Sequence, residues 1–180
     1  MQAENTVSKW RPREKPFKRL VISASMFALG SALEAAAAWD PEVRSEVESW
    51  RDPLAILMEV KPNGPYMALE KRDGVLRYLG PDKISADLVI SFKTVEGAFL
   101  VMSGQIGTPQ SYAEHRATLS GDASQAMSLI RCLTIVQAFL FPRILAERVL
   151  KRVPEMPPKR MMIRAAVLGA GIPRAIPRLF

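Results

Sequence analysis

The chain has little with which to do covalent chemistry. Among its 180 residues there is one cysteine and one histidine. That excludes a disulfide framework and any metal centre built from His and Cys. His115, between Glu114 and Arg116, falls mid-strand in the predicted pattern, where a structural or surface histidine is the better account. Cys132 sits in the middle of an apolar helix and reads as a small core residue. Nucleophilic catalysis needs a nucleophile held by a base, and neither residue has a visible partner. The carboxylates Glu34, Glu59, Glu70 and Glu96 form no pair in the sequence, so acid–base catalysis is unsupported. Gly104-Gln105-Ile106-Gly107 follows a helix and precedes a strand, the wrong order for a phosphate or dinucleotide loop. No enzymatic activity, cofactor or metal is expected. Aromatic residues make up only 7% of the chain, and no stacking platform for single-stranded nucleic acid is evident.

What the chain does have is apolar volume and unevenly placed charge. Its hydrophobic content is 48%, and its length suits one domain with a real core. The net charge is +7. Residues 1–19 carry six Lys/Arg and two Glu, and residues 142–180 carry nine Lys/Arg and two Glu. The stretch between them is net acidic. Basic ends interleaved with Trp10, Phe17, Met161 and Met162 favour an anionic membrane surface over nucleic acid. A basic stretch before Leu20–Leu33 also has the outline of a secretory signal, but it is long and holds two Glu and two Pro. Leu20–Leu33 is shorter than the roughly 20 residues that span a bilayer. A buried N-terminal helix is the preferred reading, in a cytoplasmic protein peripheral to the inner face of the membrane.

Three segments are expected: a disordered basic stretch over 1–15, one domain over 16–152, and a Pro-hinged basic amphipathic segment over 153–180. The domain reads as helix from Pro16 to about Ala38, then a short helix capped by Asp40 with Pro41 in its first turn. From Pro53 the apolar period becomes two, with Leu54, Ile56, Met58 and Val60 on one face. Asn63-Gly64 and Asp73-Gly74 are hairpin signals joining strands at Tyr66–Lys71 and Val75–Leu79. A fourth strand spans Asp87–Lys93. Thr94 caps a short helix ended by Gly104. A fifth strand is expected over Ser111–Leu119. Asp122 and Gln125 then make a capping-box pattern for a long helix to Phe141.

This order resembles the sterol-carrier-protein type 2 domain family. The resemblance is best over Pro53–Leu140. It rests on Ala86-Asp87-Leu88-Val89-Ile90-Ser91-Phe92, on the Ala- and Leu-containing helix that follows, and on Leu119-Ser120-Gly121-Asp122 opening the last long helix. It implies an α+β fold, a five-stranded, mostly antiparallel sheet covered on one face by helices, around an apolar lipid cavity. The layout also resembles small carrier-domain accessory proteins of ubiquinone biosynthesis.

The expected cavity wall is Met58, Met67, Phe92, Phe99, Met102, Met127, Leu129, Leu133 and Val136. Methionine fills irregular space and adapts to varied ligands, although each one alone is equally explained by core packing. Arg131 is the one charge in the long helix after its cap. It either snorkels to the surface or meets a lipid head group or a buried carboxylate. Arg160 and Arg164, one helical turn apart, are expected to touch the membrane. The function expected is non-enzymatic binding and transfer of a sterol, fatty acyl or isoprenoid lipid. The alternative is a scaffold presenting such a lipid, for example a polyprenyl quinone precursor, to lipid-biosynthetic enzymes.

Overall fold

The computed structural model describes residues 16–140, together with Ala165, Gly169 and Pro177. The segments expected over 1–15 and 153–180, the helix expected after Pro142, and Arg160 and Arg164 lie outside the described residues.

Helix α1 (Pro16–Trp39) is followed by α2 (Pro41–Glu48), strands β1 (Leu54–Val60), β2 (Tyr66–Arg72), β3 (Val75–Gly80) and β4 (Leu88–Phe92), helices α3 (Val95–Met102) and α4 (Thr108–Ala113), strand β5 (Ala117–Ser120) and helix α5 (Ala123–Leu140). These strands form one sheet in the order β3-β2-β1-β4-β5. Within it β1 and β4 run parallel, and the other three pairings are antiparallel. The α+β architecture is thus the one the sequence implies.

The elements form for readable reasons. In α2, Asp40 Oδ1 accepts from the backbone N–H of Glu42 and Val43, and Val43 and Val47 face inward. In α3, Thr94 Oγ1 accepts from Gly97 N. At the β2–β3 turn Asp73 and Gly74 both take positive φ, 53° and 75°, as the tight hairpin turn requires. Asp52 accepts from both of their N–H groups. The 61–65 connection between β1 and β2 is longer than a two-residue turn, and Val60 N donates across it to Pro65 O at 3.0 Å.

Alternation along the strands places Leu54, Ile56, Met58 and Val60 of β1, and Leu88, Ile90 and Phe92 of β4, in the core under the helices. Leu57 and Ala68, paired across β1 and β2, are also buried, although they point to the other face. The connection from β3 to β4 must cross β2 and β1 to reach its place in the sheet. It does so on that far face, where Lys83 Nζ lies 3.7 Å from Glu59 Oε2.

By length and composition α1 could cross a membrane, and half of its most apolar stretch is buried in the protein. It packs on the sheet, on α3 and on α5. The contact with β3 is so close that a Cβ at Gly30 would lie 2.5 Å from the Tyr78 ring. Glu34, one turn on, accepts from Tyr78 N at 2.9 Å. The exposed end of α1 carries Phe17 and Leu20, 70% and 67% exposed.

Two expectations are corrected. The stretch read as strand over Ser111–Leu119 is helix α4, a turn, and only then the short β5. Period-two alternation in the sequence concealed a proline-containing first turn of helix, for which Pro109 is the signal. His115 therefore sits not in a strand but in the turn after α4, exposed and at φ 54°. The capping box is also one-sided. Asp122 accepts from Gln125 N, whereas Gln125 Oε1 is buried with no hydrogen-bond partner among the described residues.

Candidate functional site

A cavity of about 20 Å³ lies between the sheet and the helices. Its floor is Met58 of β1 with Ile90 and Phe92 of β4. Met102 of α3 and Leu133 of α5 close it from the helical side, and Leu29 of α1 completes that wall. Strand alternation points the floor residues inward, and the α3 and α5 residues lie on the buried stripes of their helices. Four of the nine residues expected to line a cavity, Met58, Phe92, Met102 and Leu133, are brought together here.

The other five stand elsewhere. Met67 is fully buried beneath Gly30 and Tyr78. Leu129 and Val136 are fully buried in the core but do not border the cavity. Phe99 is half-buried, with Lys18 Nζ 5.1 Å from its ring centroid. Met127 is 54% exposed and is removed from the wall. The inward stripe of α5 is Ala126, Leu129, Cys132, Leu133 and Val136, and Met127 shares the outer face with Arg131 one turn on. A helix apolar nearly all round hides its phase in sequence.

Three polar residues, Ser111 and Tyr112 of α4 and Gln137 of α5, also border the cavity. Ser111 is 1% exposed, and its Oγ has no hydrogen-bond partner among the described residues. The buried Tyr112 hydroxyl has none either. Burial raises the Tyr112 pKa above its ordinary value, so the phenol stays neutral. Sequence reasoning missed all three residues. The strand assigned over Ser111–Leu119 hid the first two, and a glutamine in a greasy helix is a signal for the third. No Lys, Arg, Asp, Glu or His borders the cavity among the described residues.

The expected head-group cation is committed elsewhere. Arg131 Nε and Nη2 lie 2.6 and 2.7 Å from the two Glu46 carboxylate oxygens on α2. Ser128 Oγ donates to Glu46 Oε2 at 2.5 Å, and Trp50 Nε1 donates to Ser128 Oγ at 2.6 Å. The Arg131 guanidinium first, then the Ser128 hydroxyl, hold the Glu46 carboxyl down at about 2. Arg131 thus reaches the surface, as the snorkelling reading has it, and its partner is a carboxylate that is partly exposed rather than buried. Lys71, buried beside this network, donates to Glu48 O and Trp50 O and closes the end of α2. Cys132, fully buried on the inward stripe of α5, has its thiol pushed up to about 12 by burial.

The two sequence motifs behind the family resemblance meet in space. Asp87 accepts from Ala55 N at 3.0 Å and pairs with Arg51 at 2.6 Å, which fixes where β4 begins beside β1. The Ala55 N–H, then Arg51, lower the Asp87 pKa. Gly121 takes φ 116°, and a Cβ there would lie 2.4 Å from Asp87 O.

No family model matches the chain, and no curated protein matches it. Solved structures similar to it include a UbiJ-SCP2 ubiquinone synthesis protein, at 18% identity over 67% of this chain and 99% of that one, with a TM-score of 0.42. Palmitated SCP2L2 from Aedes aegypti is similar at 15% identity over 59% and 91% of the two chains, with a TM-score of 0.41. A possible sterol carrier protein from Thermus thermophilus is similar at 17% identity over 74% and 91%, with a TM-score of 0.43.

Proposed function

We propose that this chain is a non-enzymatic carrier that takes one apolar lipid between its sheet and its helices. The observation that carries the reading is the cavity itself. It is walled by Met58, Phe92, Met102 and Leu133, placed at the seam where α1, α3 and α5 meet the sheet. Two of the four are methionines, which repack around varied shapes. At about 20 Å³ the closed cavity has room for little more than one water molecule. Sites for organic ligands run to several hundred Å³. Loading therefore requires the helical layer to part from the sheet. Each CH₂ moved out of water then contributes about 0.8 kcal/mol, so a long chain repays the parting without a reactive group.

Docking on an anionic bilayer belongs to the same proposal. It is supported by the basic ends of the chain and by Phe17 and Leu20 exposed beside Lys18 and Arg19. Charge reversal at Arg160 and Arg164 is expected to abolish binding to phosphatidylserine vesicles with the far-UV spectrum unchanged. Retained binding would remove the docking step.

The carrier reading is tested by incubating the detergent-free protein with mixed-lipid vesicles, re-isolating it, and recording its native mass. A stoichiometric adduct of one lipid class, identified after extraction, is the expected result. A mass of the bare chain after exposure to every lipid class would overturn the reading.

A further inference from the structure

We propose that the α4 side of the cavity is a head-group pocket selecting an uncharged oxygen function, an alcohol or a carbonyl, on an otherwise apolar ligand. The inference deepens the carrier reading and rests on it.

Three observations converge. First, Ser111 Oγ and the Tyr112 hydroxyl are buried without a hydrogen-bond partner among the described residues. A buried hydroxyl left unpaired is a standing cost to the fold. Alanine and phenylalanine would fill the same space without it. Second, both residues border the cavity, and so does Gln137, itself only 6% exposed. The polar residues at the cavity therefore come from two elements, α4 and α5. Third, no charged side chain borders the cavity among the described residues.

The chemistry of the donor set decides the ligand class. Two hydroxyls and a primary amide each donate and accept. They satisfy an alcohol, which does both, and a carbonyl, which accepts. A carboxylate or phosphate brought to the same place would carry its charge into an apolar site with no cation to meet it. The nearest candidate, Arg131, is held by Glu46 on the outer face of α5. A plain hydrocarbon would leave the hydroxyls unpaired, and sites built to hydrogen-bond a ligand discriminate strongly against analogues lacking the partner.

The experiment measures the affinity of the full chain for hexadecane, hexadecanol and palmitate at neutral pH, each delivered from cyclodextrin. Hexadecanol is expected to bind about tenfold more tightly than either of the others. In the Ser111→Ala/Tyr112→Phe double variant, with folding checked by its unfolding transition, the ratio of hexadecanol to hexadecane is expected to fall to about one. Equal binding of all three by the unaltered protein would overturn the head-group pocket and leave the carrier reading standing. Preferential binding of palmitate would overturn the selection for an uncharged head. Binding of none would overturn the carrier reading and the pocket with it.

Discussion

The two ends of α5 are built on opposite principles. In its first turns Ser128 and Arg131 are joined to Glu46 and Trp50 in a network in which each polar group meets another. Toward its other end, Leu133 and Gln137 line a cavity also bordered by Ser111 and Tyr112, whose hydroxyls have no hydrogen-bond partner among the described residues. The first end is fastened and the second is only closed. A helix held this way has a fixed end and a yielding one, and the yielding end adjoins the proposed ligand site. Fully satisfied polar networks specify a unique arrangement, whereas a partly satisfied one marks a place shaped for something else.

The sharpest way to break this contrast is through Cys132, which directly follows Arg131 and is fully buried on the inward stripe. Its thiol, raised from 9.0 to about 12, should react with iodoacetamide about a thousandfold more slowly than an unperturbed thiol at neutral pH. Loading with an apolar ligand should leave that protection in place. Rapid labelling during loading would mean that α5 lifts as a whole and that the fastening is illusory.

A second test crowds the tight packing of α1 on β3. Gly30→Val inserts carbon where Tyr78 already stands, and Tyr78 is fully buried against Phe27, so neither can retreat. A loss of about 3 kcal/mol in urea unfolding is expected. A loss under ~0.5 kcal/mol would show that α1 can shift on the sheet.

The fastening itself is weighed by Glu46→Gln, which should cost about 1 kcal/mol, the pair being partly exposed and screened by solvent. The sign with pH follows from the lowered pKa. The stabilisation is complete above about 4.5, the ordinary value, and is lost as pH falls toward about 2. Urea midpoints of the parent chain should therefore decline through that window, and those of the variant should decline less. Parallel declines would show that Glu46 contributes nothing.

On the yielding side the expected sign is reversed. Ser111→Ala removes a buried hydroxyl with no partner among the described residues, so the unliganded protein should gain up to about 1 kcal/mol. A clear loss of stability would show that the hydroxyl serves the fold rather than a ligand. Sites kept for function are where a simplifying substitution stabilises.

The same contrast explains what the sequence made legible. Strands β1 to β4 and the caps Asp40, Thr94 and Asp122 were readable because alternation and capping are local. The motifs around Asp87 and Gly121 were readable as motifs, but their reason, a contact too close for any Cβ, is tertiary. The cavity was half legible. Met58, Phe92, Met102 and Leu133 follow from strand and helix periodicity, whereas Met127 was lost to the uncertain phase of an apolar helix. The polar lining was illegible, because α4 occupies a stretch whose pattern alternates like a strand and declares itself only through Pro109. Glu46 and Arg131 are 85 residues apart in the chain, and nothing local joins them.

The manner in which the sheet ends has a consequence for association. An open sheet offers its outer strands as templates on which another chain can pair. Here β5 is only four residues long. On the other edge, β3 shifts register opposite Ala68 and Leu69, and Pro81 follows it. Its Tyr78 N–H is already taken by the Glu34 carboxylate. On the proposed carrier reading, opening the helical layer to load an apolar ligand would expose the protein to aggregation each time. Short, irregular and occupied edges deny neighbouring molecules a strand to copy while the interior is open.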